Sequence, residues 1–327
     1  MNPAAVWYGR HPLSLALLPL SWLYCGVARL RRRLYGSGCF KTWRLPCPVV
    51  VVGNLTVGGT GKTPLVLLVA EMALERGLRP AILIRGYRGG GRDWPRSVTP
   101  DDDPDLVGDE PALLARRGIC PVIAGPDRVA DGQLAVARHG CDLIISDDGL
   151  QHYRLERDLE VAVVDGDRGL GNGRCLPAGP LREPRGRLAS VDLVVRNGAG
   201  GGDYGFTLEP DSAVSLLDPG ATRPLSAFRG LRVTAVAGIG NPGRFFALLR
   251  AHGMLVEEWP YADHHAFTPK DLAAWPPGPV LMTEKDAVKC AKFGARNHWY
   301  CPVRAVPNSA LADTLVARLD SLFIPKV

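Results

Sequence analysis

The residues best placed to do chemistry begin at Thr56. The run Thr56-Val57-Gly58-Gly59-Thr60-Gly61-Lys62-Thr63 follows a short β-branched stretch, Pro48 to Asn54, and leads into the apolar, helix-like Pro64 to Ala73. Strand, glycine-rich turn, Lys-Thr and helix is the setting of a triphosphate-binding loop, G-x-x-x-x-G-K-[ST], with Thr56 in place of the first glycine. Gly58, Gly59 and Gly61 leave backbone N–H groups free to face phosphate oxygens. The helix N-terminus adds its positive end. Lys62 can reach β- and γ-phosphates, and the Thr63 hydroxyl can bind Mg²⁺. The loop predicts a nucleoside triphosphate and leaves open what is done with it.

A second arm lies at Cys141 to His152, an apolar strand ending in Asp147-Asp148-Gly149. Paired carboxylates at a strand end repel unless a cation or donors offset them. A strand of this kind delivers an Asp to Mg²⁺. The competing reading is a turn with an Asp-Gly tip; Lys62-Thr63 upstream favours the metal. Thr63, Asp147, Asp148 and Glu110 form the metal candidates. Asp109, in Gly108-Asp109-Glu110-Pro111, is either a helix N-cap or a base near the phosphates. In Asp263-His264-His265, Asp263 can orient an imidazole, although surface placement leads on these residues alone. Arg85, Arg128, Arg174 and Arg182 can pair with a substrate phosphate or make ordinary salt bridges.

These groups need a scaffold. Strand-like runs recur near 48–54, 80–84, 121–124, 142–146, 160–164 and 192–196, with helical patterns between several, which means α/β with a mostly parallel sheet. A Gly-, Asp- and Pro-rich section comes next. A second series then reads strand 232–238, helix 241–252, strand 254–259, helix 269–275, strand 279–283, helix 284–291, strand 299–303 and helix 308–321. The expected division is an N-terminal segment 1–44, a P-loop NTPase-like domain 45–198, a connecting section 199–229 and a smaller α/β domain 230–327. The cleft between the domains would bring Asp263-His264 to face the phosphate loop.

The charge is uneven. The 327 residues hold 39 Lys+Arg and 33 Asp+Glu, a net +6. Seven of the basic residues fall within residues 1–50, which contain no acid, so the remaining chain is nearly neutral. That argues against a basic nucleic-acid-binding face. Pro12 to Ala28 is uncharged and is followed by Arg29-Leu30-Arg31-Arg32-Arg33. Leu13, Leu17, Leu20, Tyr24, Val27 and Leu34 share one helical face. A membrane-associated helix, spanning or lying in the interface with arginines against anionic headgroups, is preferred over a cleaved leader or a buried core helix. If it spans, the chain beyond Arg33 is cytoplasmic. The eight scattered Cys residues show no disulfide or zinc spacing and predict reduced thiols.

The Gly-Gly-Thr-Gly-Lys-Thr core is also similar to ParA/MinD-type ATPases, but Val57 stands where those carry an additional Lys. A membrane-tethered ATPase of that kind, without a small-molecule acceptor, is the alternative reading.

Together these motifs resemble the tetraacyldisaccharide 4′-kinase family of lipid A biosynthesis in Gram-negative bacteria. The likeness runs through Gly53 to Pro64, Arg85-Gly86-Tyr87, Gly108 to Pro111, Asp147 to His152, Leu176 to Pro184, Gly238 to Pro242, Asp263 to His265 and Thr283 to Lys289. In that family the loop starts without glycine, so Thr56 fits. The resemblance implies ATP- and Mg²⁺-dependent phosphorylation of the 4′-hydroxyl of a tetraacylated glucosamine disaccharide 1-phosphate, giving lipid IVA. It implies a membrane-associated enzyme at the cytoplasmic face of the inner membrane, with no nucleic-acid and no obligate protein partner expected. It makes Asp109 the base, aided by His264, with Lys62 and Asp147 also catalytic. Arg85, Arg128, Gln151, His152 and Arg182 are placed near nucleotide phosphate or disaccharide.

Overall fold

The computed structural model describes residues 3–9, 11–86, 89–91, 93–198, 202–210 and 212–324; Tyr87 and Arg88 of the Arg-Gly-Tyr loop lie outside them. Val49–Gly53 (β1) is buried at every residue, as a central strand covered on both faces must be. It pairs in parallel with Leu143–Asp147 (β5) on one side and Leu159–Asp165 (β6) on the other. Beyond β5 lie Pro80–Ile84 (β2), Val122–Ala124 (β4) and Arg96–Val98 (β3); beyond β6 lie Leu193–Asn197 (β7), Gly205–Pro210 (β8) and Val303–Pro307 (β15). The edge strands β3 and β15 run antiparallel to their neighbours. A second, six-stranded sheet has the order β10-β9-β14-β13-β11-β12. Its strands are Ala213–Ser215 (β9), Thr222–Arg223 (β10), Arg232–Ala237 (β11), Leu255–Pro260 (β12), Val280–Thr283 (β13) and His298–Cys301 (β14). The predicted α/β fold with a mostly parallel sheet is what the chain adopts.

Helices cover both faces of the large sheet. Lys62–Leu74 (α4) is apolar nearly all round and is buried between the sheet and Ser309–Ser321 (α11). Asp109–Arg117 (α6) lies on the same side, preceded by the short turn Pro104–Val107 (α5), while Arg128–His139 (α7) packs on the other. Pro242–Ala251 (α8), Pro269–Ala274 (α9) and Glu284–Cys290 (α10) serve the second sheet.

One strand assignment changes. The pattern predicts a single strand over 299–303, with everything after 230 in the second unit. The chain instead makes β14 in the small sheet, breaks at Pro302, and returns as β15 beside β8 in the large one. Proline lacks the N–H a ladder needs, so it ends one strand before the next begins. Leu311, Leu315 and Leu319 of α11 then join the core of the large sheet.

The N-terminus forms Pro3–Tyr8 (α1), Leu13–Ala16 (α2) and Leu18–Gly36 (α3). Pro19 falls in the first turn of α3, where its missing N–H costs nothing. Ser21 Oγ donates to the Cys175 carbonyl at 2.7 Å, Trp7 Nε1 to the Pro177 carbonyl at 3.0 Å, and Arg174 to Ser14 Oγ at 2.9 Å. These contacts dock the helices on the loop that ends at Arg182. Leu20, Leu23, Val27 and Leu30, a face of α3, remain more than half exposed. Among the described residues no helix is long and apolar enough to cross a membrane.

Candidate active site

The phosphate loop opens from the carboxyl end of β1, the usual ligand edge of a parallel sheet. Thr56 is buried and bridges Leu181, while Val57 N–H donates to the Pro180 carbonyl at 2.8 Å. An extended, paired residue has no need of glycine, which accounts for the threonine at this position. Gly61, by contrast, caps α4 at φ 86°, and a Cβ there would meet Asn197 Nδ2 at 2.3 Å. That amide donates to the Thr60 carbonyl at 2.9 Å. Asn54 Nδ2 reaches the Gly58 carbonyl at 3.3 Å, and its Oδ1 accepts from Lys62 Nζ at 3.1 Å.

The two adjacent carboxylates have different surroundings. Asp147 is buried at the end of β5, and its Oδ2 accepts from the Thr63 hydroxyl at 3.4 Å. Burial, only partly offset by Lys62, pushes its carboxyl up to about 7. Its Oδ1 is buried and has no hydrogen-bond partner among the described residues. Asp148 sits in the left-handed region at φ 53° and takes both guanidinium nitrogens of Arg182, at 2.8 and 2.9 Å, with Lys62 Nζ 3.6 Å away. Burial would raise this carboxyl, but Lys62 and Arg182 outweigh it and hold it well below the usual range.

The third cluster joins the two sheets. His264 lies after β12 and Asp109 at the first turn of α6, yet His264 Nδ1 is 3.2 Å from Asp109 Oδ2. A carboxylate only accepts, so the ring nitrogen carries the hydrogen. Lys285 of α10 brings Nζ to 3.4 Å from His264 Nε2, Glu110 Oε1 and Asp263 Oδ1 alike. Burial works against ionisation of Asp109, but the His264 hydrogen bond and the charges of Lys289 and Lys285 bring its carboxyl below the ordinary value. His265 points elsewhere: its Nε2 is 3.4 Å from Asp271, and its ring stacks at a tilt on Tyr261 and meets Phe267 edge to face. Among the described residues, Asp148 and His264 are the two non-glycine positions with positive φ. Strain of this kind persists only where surroundings over-determine it, and it concentrates at functional sites.

The loop after β11 closes the arrangement, for a Cβ on Gly240 would lie 3.8 Å from both Gly59 N and Asp263 Oδ2. Phosphate loop, paired carboxylates and imidazole–carboxylate pair thus gather near one another where the two sheets meet. A family model described as tetraacyldisaccharide-1-P 4′-kinase matches residues 13–320. The chain belongs to that family.

Relatives agree along the whole length. The tetraacyldisaccharide 4′-kinase of Alkalilimnicola ehrlichii is 52% identical over 331 residues, covering 97% of this chain and 98% of its own. That of Nitrosococcus oceani is 50% identical over 298 residues, or 91% and 88% of the two chains. The crystal structure of LpxK from Aquifex aeolicus in complex with ATP superposes with a TM-score of 0.78 at 29% identity, covering 95% of this chain and 99% of that one.

Within this 4′-kinase family member, the predicted arginines separate. Arg182 bridges Asp148 and Asn54 Oδ1. Arg128 is buried, and its guanidinium is taken up by the Gly125 carbonyl at 2.7 Å, Asp131 at 3.1 Å and the Asp147 carbonyl at 3.4 Å, so it orders the strand end that carries Asp147. Arg85 is exposed. Arg174 is held by the N-terminal helices. Gln151 donates to Glu183 at 3.1 Å and accepts from Arg182 at 3.3 Å. His152 joins Arg31, Tyr35 and Arg154 around a cavity of about 250 Å³ beside Arg128. Burial and then Arg128 push the His152 imidazole down to about 4. Asn54, Glu183, Asn197 and Lys285 are site residues that sequence reasoning did not single out. Three of them stood in plain view inside the motifs, but only their partners reveal what they do.

Proposed function

We propose that the chain transfers the γ-phosphate of ATP to the 4′-hydroxyl of a tetraacylated disaccharide 1-phosphate, with Asp109 as the base. The observation that carries this is the 3.2 Å pairing of Asp109 with His264 where the two sheets meet, near the phosphate loop. The family match disfavours the ParA/MinD-like alternative.

Lys62 and the N–H groups of Gly58 to Gly61 would hold the β- and γ-phosphates. Phosphoryl transfer asks mostly for positioning and charge stabilisation, which a preformed loop supplies. The residues also fit Mg²⁺. Asp147 offers a buried carboxylate oxygen lacking a donor, beside the Thr63 hydroxyl, and the negative charges of Glu110 and Asp148 act on the same carboxylate. A cation that keeps several waters and phosphate ligands suits such a sparse set. When bound, Mg²⁺ supplies charge stabilisation to the transferring phosphoryl group. Asp148 and Arg182 neutralise one another and fix the far wall of the loop. Glu110, expected among the metal ligands, faces Lys285.

The acceptor hydroxyl loses its proton to the Asp109 carboxylate as its oxygen bonds to the γ-phosphorus and the bond to the β-phosphate oxygen breaks, leaving ADP. His264 holds the carboxylate by its Nδ1–H, and Lys285 holds the imidazole from the other side. The cavity bounded by Arg31, His152 and Arg154 is suited to the sugar and its anionic substituent. The exposed leucines of α3 would rest in the membrane interface, so the acceptor's acyl chains stay in the bilayer. Labelled ATP incubated with the lipid acceptor tests the reading. Label in the lipid, abolished by Lys62→Ala, is expected; label found only as free phosphate would refute it.

A further inference from the structure

A second cavity, of about 310 Å³, lies between α3 and the segment following Arg182. None of the phosphate-loop residues, Asp109 or Asp147 lines it. Arg29 and Arg32 form one wall; Glu183, Arg185 and Arg187 form the other. The charges are not balanced. Arg187 is buried and committed to Glu160 at 2.6 Å and Glu183 at 3.9 Å. Glu183 is further engaged by Gln151 and Tyr153. Arg32 reaches a neutral partner, Ser190 Oγ, at 2.7 Å. Among the described residues, neither Arg29 nor Arg185 has a carboxylate within ion-pair distance. Arg29, Arg32 and Arg185, gathered round a hollow whose one carboxylate, Glu183, is already engaged, form a ready fork for phosphate oxygens.

The neighbouring surface points to the source of that phosphate. Leu20, Leu23, Val27 and Leu30 of the same helix are 53%, 65%, 59% and 58% exposed. At 100° per residue they form one stripe, and Arg29 and Arg32 fall to the other side of it. An apolar stripe on one side of α3 and an arginine-lined hollow on the other match the acyl and headgroup layers that an interfacial helix lies between. We propose that this cavity is an accessory site for the phosphate of an anionic glycerophospholipid, separate from the acceptor site. The proposal rests on the reading that α3 lies on the membrane. Such a lipid would fix the depth and rotation of α3, and through Ser21 and Cys175 the loop leading to Arg182.

The test uses the full chain and sedimentation with vesicles of phosphatidylcholine alone or doped with phosphatidylglycerol. Arg29→Ala/Arg185→Ala is compared with Arg33→Ala/Lys41→Ala, which removes equal charge outside the cavity. Diffuse attraction predicts roughly 25-fold weaker binding to the anionic vesicles for either pair. A built site predicts a further loss of about tenfold or more for the cavity pair, the range of a charge-assisted hydrogen bond. Arg29→Lys/Arg185→Lys, which keeps the charge, should fall between. Equal losses for the two alanine pairs would overturn the site, as would a wild type indifferent to phosphatidylglycerol. So would a cavity pair that raises the acceptor KM on phosphatidylcholine vesicles, since the hollow would then read the acceptor's own phosphate. A wild type that binds neither vesicle would instead remove the membrane reading of α3.

Discussion

Replacing Asp109 by Asn keeps the size of the side chain and leaves an oxygen to accept from His264, but removes the base. General-base catalysis is worth about 10²- to 10⁴-fold, so kcat should fall by that factor. His264→Ala removes a hydrogen bond at 3.2 Å to an ionised group. Bonds of that class contribute about 1.5–3 kcal/mol, or roughly 10- to 150-fold. The two losses should not multiply. Once Asn stands at 109 there is no carboxylate for the imidazole to orient, so the double variant should be nearly as active as Asp109→Asn alone. Asp109 also lies in the first turn of α6, where a negative charge adds about 0.3–1 kcal/mol to helix stability. That is too little to unfold the chain, and a melting curve checks it. The assay is single-turnover transfer of labelled γ-phosphate to the lipid acceptor, which separates chemistry from product release. Retention of activity within tenfold by Asp109→Asn, or losses that multiply independently, would refute the assignment of the base.

The same geometry sets other expectations. Arg128→Met strands the buried Asp131, whose carboxyl burial already pushes up to about 7, and should cost about 3 kcal/mol in urea denaturation. Adding Asp131→Asn should recover most of that; a loss under about 1 kcal/mol would show the pair to be dispensable. Asn197→Ala releases the Thr60 carbonyl and should raise the KM for ATP roughly 3- to 10-fold with kcat changed less, so an unaltered KM argues against a role in shaping the loop. His152 has its imidazole pushed below 6.5, so the folded state resists protonating it. Stability is therefore lost as pH falls from about 6.5 through about 4, and the wild type should lose roughly 2–3 kcal/mol more than His152→Gln between pH 7 and 4.5. Parallel pH profiles for the two proteins would contradict this.

The local chemistry was legible from the chain alone. A triphosphate loop is contiguous, so Gly58 to Thr63 declares itself by type and spacing. β-Branched runs and apolar periods likewise announce the alternating strands and helices, because burial on a sheet or helix has a fixed repeat. The reversal at Pro302 was hidden because β14 and β15 succeed one another almost without a gap. What sequence left open was always a matter of partners. Asp109 could cap a helix or serve as a base, and the difference is an imidazole 155 residues away. His264 and His265 are adjacent and identical in type; only the positive φ of His264 turns it towards Asp109 while its neighbour stacks on Tyr261. Asp147 and Asp148 separate into a buried carboxylate near 7 and an arginine-clamped one far below, because alternate positions at a strand end face different surroundings. Polar interactions act over about 3 Å and depend on orientation, so chain composition and period determined the framework while the packing of two sheets decided which charges meet.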